Sequence, residues 1–419
     1  MTDEGFWDAA RDEAAAADAA DPLAGFRDAF RLRERLIYLD GNSLGPAPEA
    51  ALAEVRTAAD QEWAADLIES WNTAGWFELP VQLGDLIARL IGAHPGEVVV
   101  CDTTTLNVYK ALHAGLSLRP DRRVIVAEGG GFPTDLYVTE GVLATRPDLS
   151  LRLEGVDAPR LEDLIDDDVA VVLVNQVDYR SGRRRDVAEL TARVHAAGAV
   201  VVWDLCHSAG AMEVGLEAAA ADLAVGCTYK YLNGGPGSPA FVYCARRHQA
   251  AVRQPLSGWW GHARPFAFDA RYEPDPGIRR FLCGTQPVLS LRALRAGLAL
   301  AAEADIAAVR DKSVALTERF IALVEASCGR FGVGLRSPRE ADARGSQVAL
   351  AHPDGYAIVQ ALIARGVVGD FRAPDILRFG FAPLYLRHAD VVEAARQLQD
   401  VLATRAWDTP AFRARAAVT

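Results

Sequence analysis

WDLCHSAGA at 203–211 and TYKYLNGGPGSP at 228–239 are the stretches on which the fold reading turns. The first sets an acidic residue, Asp204, at the carboxyl end of the β-branched run 199–203. The second sets Lys230 between two tyrosines, ahead of a glycine-rich turn. In an open α/β sheet ligands collect outside the carboxyl ends of the strands, so Asp204 and Lys230 can face one crevice despite their separation in sequence. Working outward, similar short runs recur at 97–101, 123–128, 169–175, 223–228 and 239–243. Amphipathic stretches at 106–116 and 187–197 lie between some of them, and this alternation predicts an α/β sandwich, a largely parallel sheet covered by helices.

The flanks follow a different pattern. An Ala-rich acidic helix is expected over about 4–20, a second helix near 23–35, and a helical segment with the Trp-rich stretch ESWNTAGWFELP at 69–80. From about 289 a long Ala/Leu/Arg helix leads to strand candidates at 347–351 and 377–380 and to a helix from 389. The predicted organisation is therefore an N-terminal helical segment (1–80) contributing to a small domain, a large α/β domain (81–288), and a C-terminal small α+β domain (289–419).

Composition narrows the function classes. Of 419 residues, 50% are hydrophobic and 24% charged, and the net charge of −12 disfavours nonspecific attraction to nucleic acid or to an anionic membrane. No apolar run approaches the roughly 20 residues of a membrane span. The acidic start, MTDEGFWDAARDE, does not read as a secretory or mitochondrial presequence. The six cysteines form no CxxC pair, which points to a reducing cytoplasm, and the eight histidines show no ligand spacing, so no metal site is expected.

Of the 44 basic side chains only Lys110, Lys230 and Lys312 are lysines. Chemistry that needs a neutral primary amine cannot use arginine, whose pKa exceeds about 12. Lys110 falls within an expected core helix and Lys312 on an expected charged helix face, which leaves Lys230. A strand-end aspartate and a partly buried lysine suit pyridoxal 5′-phosphate: the lysine holds the aldehyde as a Schiff base and the carboxylate keeps the ring nitrogen protonated. The run Cys101-Asp-Thr-Thr-Thr-Leu-Asn-Val-Tyr109 ends a strand and opens a helix, where free N–H groups and hydroxyls converge on an anion. Read alone, it fits an ordinary threonine N-cap better. The loop Gly129-Gly-Gly-Phe-Pro-Thr-Asp135 offers Phe132 as an aromatic plate, and Arg378 in DILRFGFAPLY could bind a carboxylate bidentately.

Together, YLDGNSLGPAP (38–48), SWNTAGWFELP (70–80), FPTDLY (132–137), WDLCHSAGA (203–211), TYKYLNGGPGSPAF (228–241), GWWGH (258–262), FLCGTQPVL (281–289), RGSQV (344–348) and LRFGFAPLY (377–385) closely resemble kynureninases, in order over about 38–400. The resemblance implies a fold-type-I pyridoxal phosphate enzyme, with a seven-stranded-type α/β/α sandwich and a smaller α+β domain. It implies hydrolysis of L-kynurenine to anthranilate and L-alanine, and a homodimer with shared active sites. It assigns Lys230 to the Schiff base, Asp204 to the pyridine nitrogen and Phe132 to ring stacking, with Tyr229 as a proton carrier. Thr104, Thr105 and Tyr229, with the partner subunit's Trp259 and the partner subunit's Thr285, would hold the phosphate. Pro133, Thr134, Asp135 and His207 fall in motifs lining the cofactor. Ser43, Trp71, Gly284 and Thr285 fall near the substrate, and Arg378 matches its carboxylate clamp. At Trp71, Gly284 and Thr285 animal kynureninases carry His, Ser and Asn, whereas bacterial-type members resemble this sequence. Two alternatives are a related enzyme such as a cysteine desulfurase, for which only Cys328 in EASCGRFG is loosely suited, and a non-catalytic pyridoxal phosphate-binding regulator, at odds with the acidic residues 1–35.

Overall fold

The computed structural model describes residues 3–155 and 159–415, and the chain divides into two units. The larger comprises 50–178 and 185–302. Among the described residues its sheet has seven strands: β1 (Val98–Val100), β2 (Val124–Glu128), β3 (Ser150–Glu154), β4 (Val169–Asn175), β5 (Val200–Asp204), β6 (Leu223–Gly226) and β7 (Phe241–Cys244). They run in the order β1-β7-β6-β5-β4-β2-β3. Only β7 is antiparallel to its neighbours; the other pairings are parallel.

The continuous apolar runs are explained by burial on both faces. Val124, Val126, Val172, Val174, Val201 and Trp203 point into one core, and Ile125, Ala127, Val171, Leu173, Val200 and Val202 into the other. Helix Thr104–Ser117 packs on the second face through Val108, Ala111 and Leu112, and helices Leu79–Leu90 and Val187–Ala196 pack on the first. Helix Leu79–Leu90 lies so near β1 that a Cβ on Gly84 would sit 2.1 Å from the Val98 carbonyl oxygen. Strand β3, which the sequence reading did not anticipate, is an edge strand whose partly exposed SLRLE pattern carries Arg152, paired with Asp166 at 2.7 Å.

The smaller unit comprises 1–49, 179–184 and 303–419. Strands β8 (Gly334–Leu335), β9 (Gln347–Ala351), β10 (Asp370–Arg372) and β11 (Ile376–Gly380) form an antiparallel sheet in the order β10-β11-β9-β8. Helices Asp3–Ala19, Ile306–Cys328, Gly355–Ala364 and His388–Ala403 accompany it. The helix expected at 23–35 is only a 3-10 turn over Ala24–Ala29. Phe30 then turns extended and bridges to Pro48, because RLRERL lacks an apolar period to bury.

The division between units differs from the sequence boundaries in placing 50–80 and 289–302 with the large sheet. The reason is packing: Leu79, Leu291, Leu294 and Leu298 belong to the core beneath β5, and Arg292 pairs with Glu62 at 2.5 Å. Lys312, expected on a charged helix face, is instead buried and pairs with Asp21 at 2.6 Å. No helix among the described residues is long and apolar enough to cross a membrane.

Candidate active site

The strand register builds the site. Asn175, Asp204 and Val225 are in-register neighbours at the carboxyl ends of β4, β5 and β6. A cavity of about 250 Å³ opens above them, lined among others by Thr104, Thr105, Phe132, Asp135, Asp204 and Lys230. Thr103, with extended backbone, caps helix Thr104–Ser117: its hydroxyl accepts from Leu106 N at 3.4 Å, and Thr104 and Thr105 form the first turn, where N–H groups lack helical acceptors. Phe132 is 43% exposed and immediately precedes helix Pro133–Thr145.

Lys230 sits on a turn that the sequence fixes locally. Asn233, Gly235 and Gly237 all have positive φ, and Asn233 N donates to the Lys230 carbonyl at 3.0 Å. A Cβ on Gly234 would lie 2.5 Å from Ser238 Oγ, which itself accepts from Thr228 Oγ1 at 2.8 Å. Thus the glycine run folds back under the lysine. Lys230 Nζ lies 2.9 Å from His207 Nε2 and 5.9 Å from the centre of the Tyr229 ring.

Asp204 is 3% exposed and its Oδ1 accepts from Cys206 N at 2.7 Å. Burial pushes its carboxyl above the usual range, while the Cys206 hydrogen bonds and the Lys230 charge pull the other way. Asp135 is buried too and is raised further, first by burial and then by Asp204. Asp135 Oδ2 accepts from Asn175 Nδ2 at 3.1 Å, whereas Oδ1 is buried without a hydrogen-bond partner among the described residues. Burial also raises the Tyr229 phenol, so it holds its proton at neutral pH.

Pyridoxal 5′-phosphate fits these donors. An amine faces a buried carboxylate that would gain a cationic partner, an orphaned Asp135 oxygen marks an unfilled polar contact, and a helix N-terminus with two threonines suits a phosphate. The residues gathered include Thr104, Thr105, Phe132, Thr134, Asp135, Asp204, His207, Tyr229 and Lys230. Pro133, Trp71, Trp259, Gly284 and Thr285 are not among the lining residues. Trp71 and Trp259 instead contact each other edge-on at 5.9 Å, and Gly284 and Thr285 are exposed. Sequence reasoning missed Asn175, Cys206 and Ser238, which line the cavity. Asn175 could have been found, since it ends a strand run just as Asp204 does.

Arg378 and Ser43 meet within the smaller unit. Arg378 is 2% exposed; its Nε and Nη2 donate to Asp370 at 2.8 and 2.5 Å, Nη1 to the Tyr179 carbonyl at 2.6 Å, and Nη2 to Ser43 Oγ at 2.9 Å. Asp370 thus occupies the Nε/Nη2 edge. A further carboxylate must approach the Nη1/Nη2 edge, where Ser43 now accepts. Asp40 beside them is pushed up to about 7, by burial first and by Asp370 second. Cys328 ends helix Ile306–Cys328 and is fully buried against Ser327.

Several comparisons bear on this arrangement. Residues 309–398 match the model of the kynureninase C-terminal domain. The chain is 54% identical over 415 residues to a kynureninase of Burkholderia pseudomallei (strain 1106a), covering 98% of this chain and 99% of that one. It is 50% identical over 414 residues to a kynureninase of Pseudomonas fluorescens, with the same coverage. Among solved structures, a cysteine desulfurase of Escherichia coli aligns with a TM-score of 0.75 at 19% identity over 91% of this chain and 98% of that one. One from Thermococcus onnurineus NA1 gives 0.73 at 18% identity, with the same coverage. The structural likenesses establish the fold-type-I architecture, and the near full-length identity establishes that this chain belongs to the kynureninase family.

Proposed function

We propose that the chain is a pyridoxal 5′-phosphate-dependent hydrolase that cleaves the Cβ–Cγ bond of L-kynurenine, giving anthranilate and L-alanine. The observation that carries this reading is the convergence of Lys230, Asp204 and the Thr104–Thr105 helix terminus on one cavity. When bound, the cofactor supplies an electron sink for carbanionic character on the substrate. The N–H groups and hydroxyls of Thr104 and Thr105 would hold its phosphate, Phe132 would cover its ring, and Asp204 would pair with its ring nitrogen. Lys230 would hold it covalently and, as a free amine, would take the substrate Cα proton at Nζ. His207, 2.9 Å away, orients that amine. Tyr229 keeps its proton and would donate it during bond cleavage.

Arg378 receives the substrate α-carboxylate, with its plane fixed by Asp370 and Ser43. Arg378→Lys keeps the charge and loses the fork. It is expected to lower kcat/KM for L-kynurenine at least about 30-fold, chiefly through KM. An unchanged KM in steady-state kinetics would remove Arg378 from this role.

The active form is a homodimer in which Trp259 and Thr285 serve the neighbouring subunit's cofactor. Supporting this, Trp259 is 38% exposed and Thr285 exposed, and neither lines the cavity of its own chain. A desulfurase needs an accessible nucleophilic thiol, and burial of Cys328 weighs against that alternative.

Anthranilate fluorescence after addition of L-kynurenine tests the reading; its absence from cofactor-loaded protein would refute it. The same assay tests ring selectivity. Trp71, Gly284 and Thr285 offer no imidazole or carboxamide to a ring 3-hydroxyl, which would lose water without gaining equivalent partners. L-Kynurenine is therefore expected to be preferred over 3-hydroxy-L-kynurenine by at least about tenfold in kcat/KM, about 1.4 kcal/mol. Equal or reversed values would mean that these positions do not set selectivity.

A further inference from the structure

Lys110 is fully buried on helix Thr104–Ser117 and pairs with Asp102, yet the proposed chemistry uses neither. A buried ion pair is a weak source of net stability, because desolvation offsets most of the attraction. Its geometry suggests another use. Lys110 Nζ also donates to the Phe281 carbonyl at 2.5 Å. Asp102 adopts a left-handed backbone, φ +49°, which is unfavourable for a residue with a Cβ. It is held there from both sides: its N–H donates to Gln286 Oε1 at 3.0 Å, and its carbonyl accepts from Ala240 N at 2.9 Å.

Gln286 in turn donates through Nε2 to the Gly284 carbonyl at 3.1 Å. Two ties, one through Phe281 and one through Gln286, thus join the segment bearing Gly284 and Thr285 to the residue that precedes the Thr103 cap. The Trp259 segment rides on the same strap, since Trp260 N donates to the Cys283 carbonyl at 3.2 Å and a Cβ on Gly258 would lie 2.3 Å from that oxygen. We infer that Lys110, with Asp102 and Gln286, is a positioning residue: the brace keys the Gly284–Thr285 segment to the anion cradle at Thr103–Thr105, so that cofactor affinity and ring selectivity are set together. This rests on the reading that Thr104 and Thr105 hold the phosphate and that Gly284 and Thr285 meet the substrate ring.

Lys110→Met alone strands the Asp102 charge, so the informative variant is the charge-balanced pair Lys110→Met with Asp102→Asn, alongside Gln286→Ala. Two quantities are read on the full chain. One is the dissociation constant of pyridoxal phosphate, from spectroscopic titration of the apo form; the other is the kcat/KM ratio of L-kynurenine to 3-hydroxy-L-kynurenine. The double variant is expected to raise the dissociation constant at least about fivefold and to shift the ratio at least about threefold, and Gln286→Ala to shift the ratio. A lowered melting temperature with both quantities within about twofold of wild type would show mere packing and overturn the proposal. Thr285→Asn separates the two layers. If it moves the ratio while the brace variants do not, the brace fails and the Thr285 reading stands. If it does not, the Thr285 reading fails, and the brace stands or falls on the dissociation constant alone.

Discussion

Lys230→Ala is expected to lower kcat for L-kynurenine by at least about 10³-fold, about 4 kcal/mol in barrier, while the protein still folds. Borohydride reduction of the wild-type protein should fix the cofactor on the Lys230 peptide. The expectation is sharp because the chain has only three lysines. Lys110 is enclosed and paired with Asp102, and Lys312 is buried against Asp21 and the Pro383 carbonyl at 2.6 and 2.7 Å. Of the three, Lys230 alone lines the cavity. An adduct on Lys110 or Lys312, or a Lys230→Ala variant that retains turnover, would displace Lys230 from the centre of the mechanism. The variant leaves a void beside His207 rather than an unpaired buried charge on the lysine side, so a loss of activity without a comparable loss of melting temperature is the expected pattern.

The large sheet was legible in the sequence because its central strands are buried on both faces, which turns β4 and β5 into uninterrupted apolar runs. Strand β3 is hard to read for the same reason in reverse: at the sheet edge Ser150 and Leu153, on opposite faces of SLRLE, are both exposed, and Arg152 breaks the run. Residues 23–35 show the limit of helical composition as a signal. Arginine and leucine are good helix formers, but the extended Phe30 bridge to Pro48 decides the local path. The boundary near 289 was obscured because α-helical composition continues across it. The helix Val288–Glu303 buries Leu291, Leu294 and Leu298 in the large core, and only a cap at Asp305 restarts the chain as the helix Ile306–Cys328 of the small unit.

For the candidate site, residues at strand ends and in glycine-rich turns could be read directly, because backbone geometry dictates where they point. Asp204 and Lys230 are such positions. The partners that tune them are tertiary and carry no local pattern: Asn175 beside Asp135, or Ser43 and Asp370 around Arg378, come together only through pairings distant in sequence. The same holds for Lys110. Its helical setting was legible, but not that its amine reaches the carbonyl of Phe281, a partner 171 residues away.

Asp204→Asn should separate electrostatics from shape. Asn nearly preserves volume and can still accept from Cys206 N, so the strand end keeps its form, but the group proposed to face the cofactor ring nitrogen is neutral. Without a fixed negative charge the ring proton is less stabilised and the electron sink weakens. We expect kcat to fall at least about 100-fold, about 2.7 kcal/mol, with the cofactor still bound by its visible absorbance. Stability should move the other way. The Asp204 pKa is raised in the folded chain, first by burial, so its contribution is fullest below the unfolded pKa of about 3.9 and is lost as pH rises through the folded value. At neutral pH the apo protein therefore bears the cost of a buried carboxylate, which Asn avoids. Apo Asp204→Asn is expected to melt at or above the wild-type temperature at pH 7 and to lose less stability between acidic and neutral pH. A variant that keeps more than about a tenth of kcat, a barrier change below about 1.4 kcal/mol, would count against the ring-nitrogen role. A variant that loses activity and melting temperature together would show that Asp204 acts on the fold rather than on a bound cation.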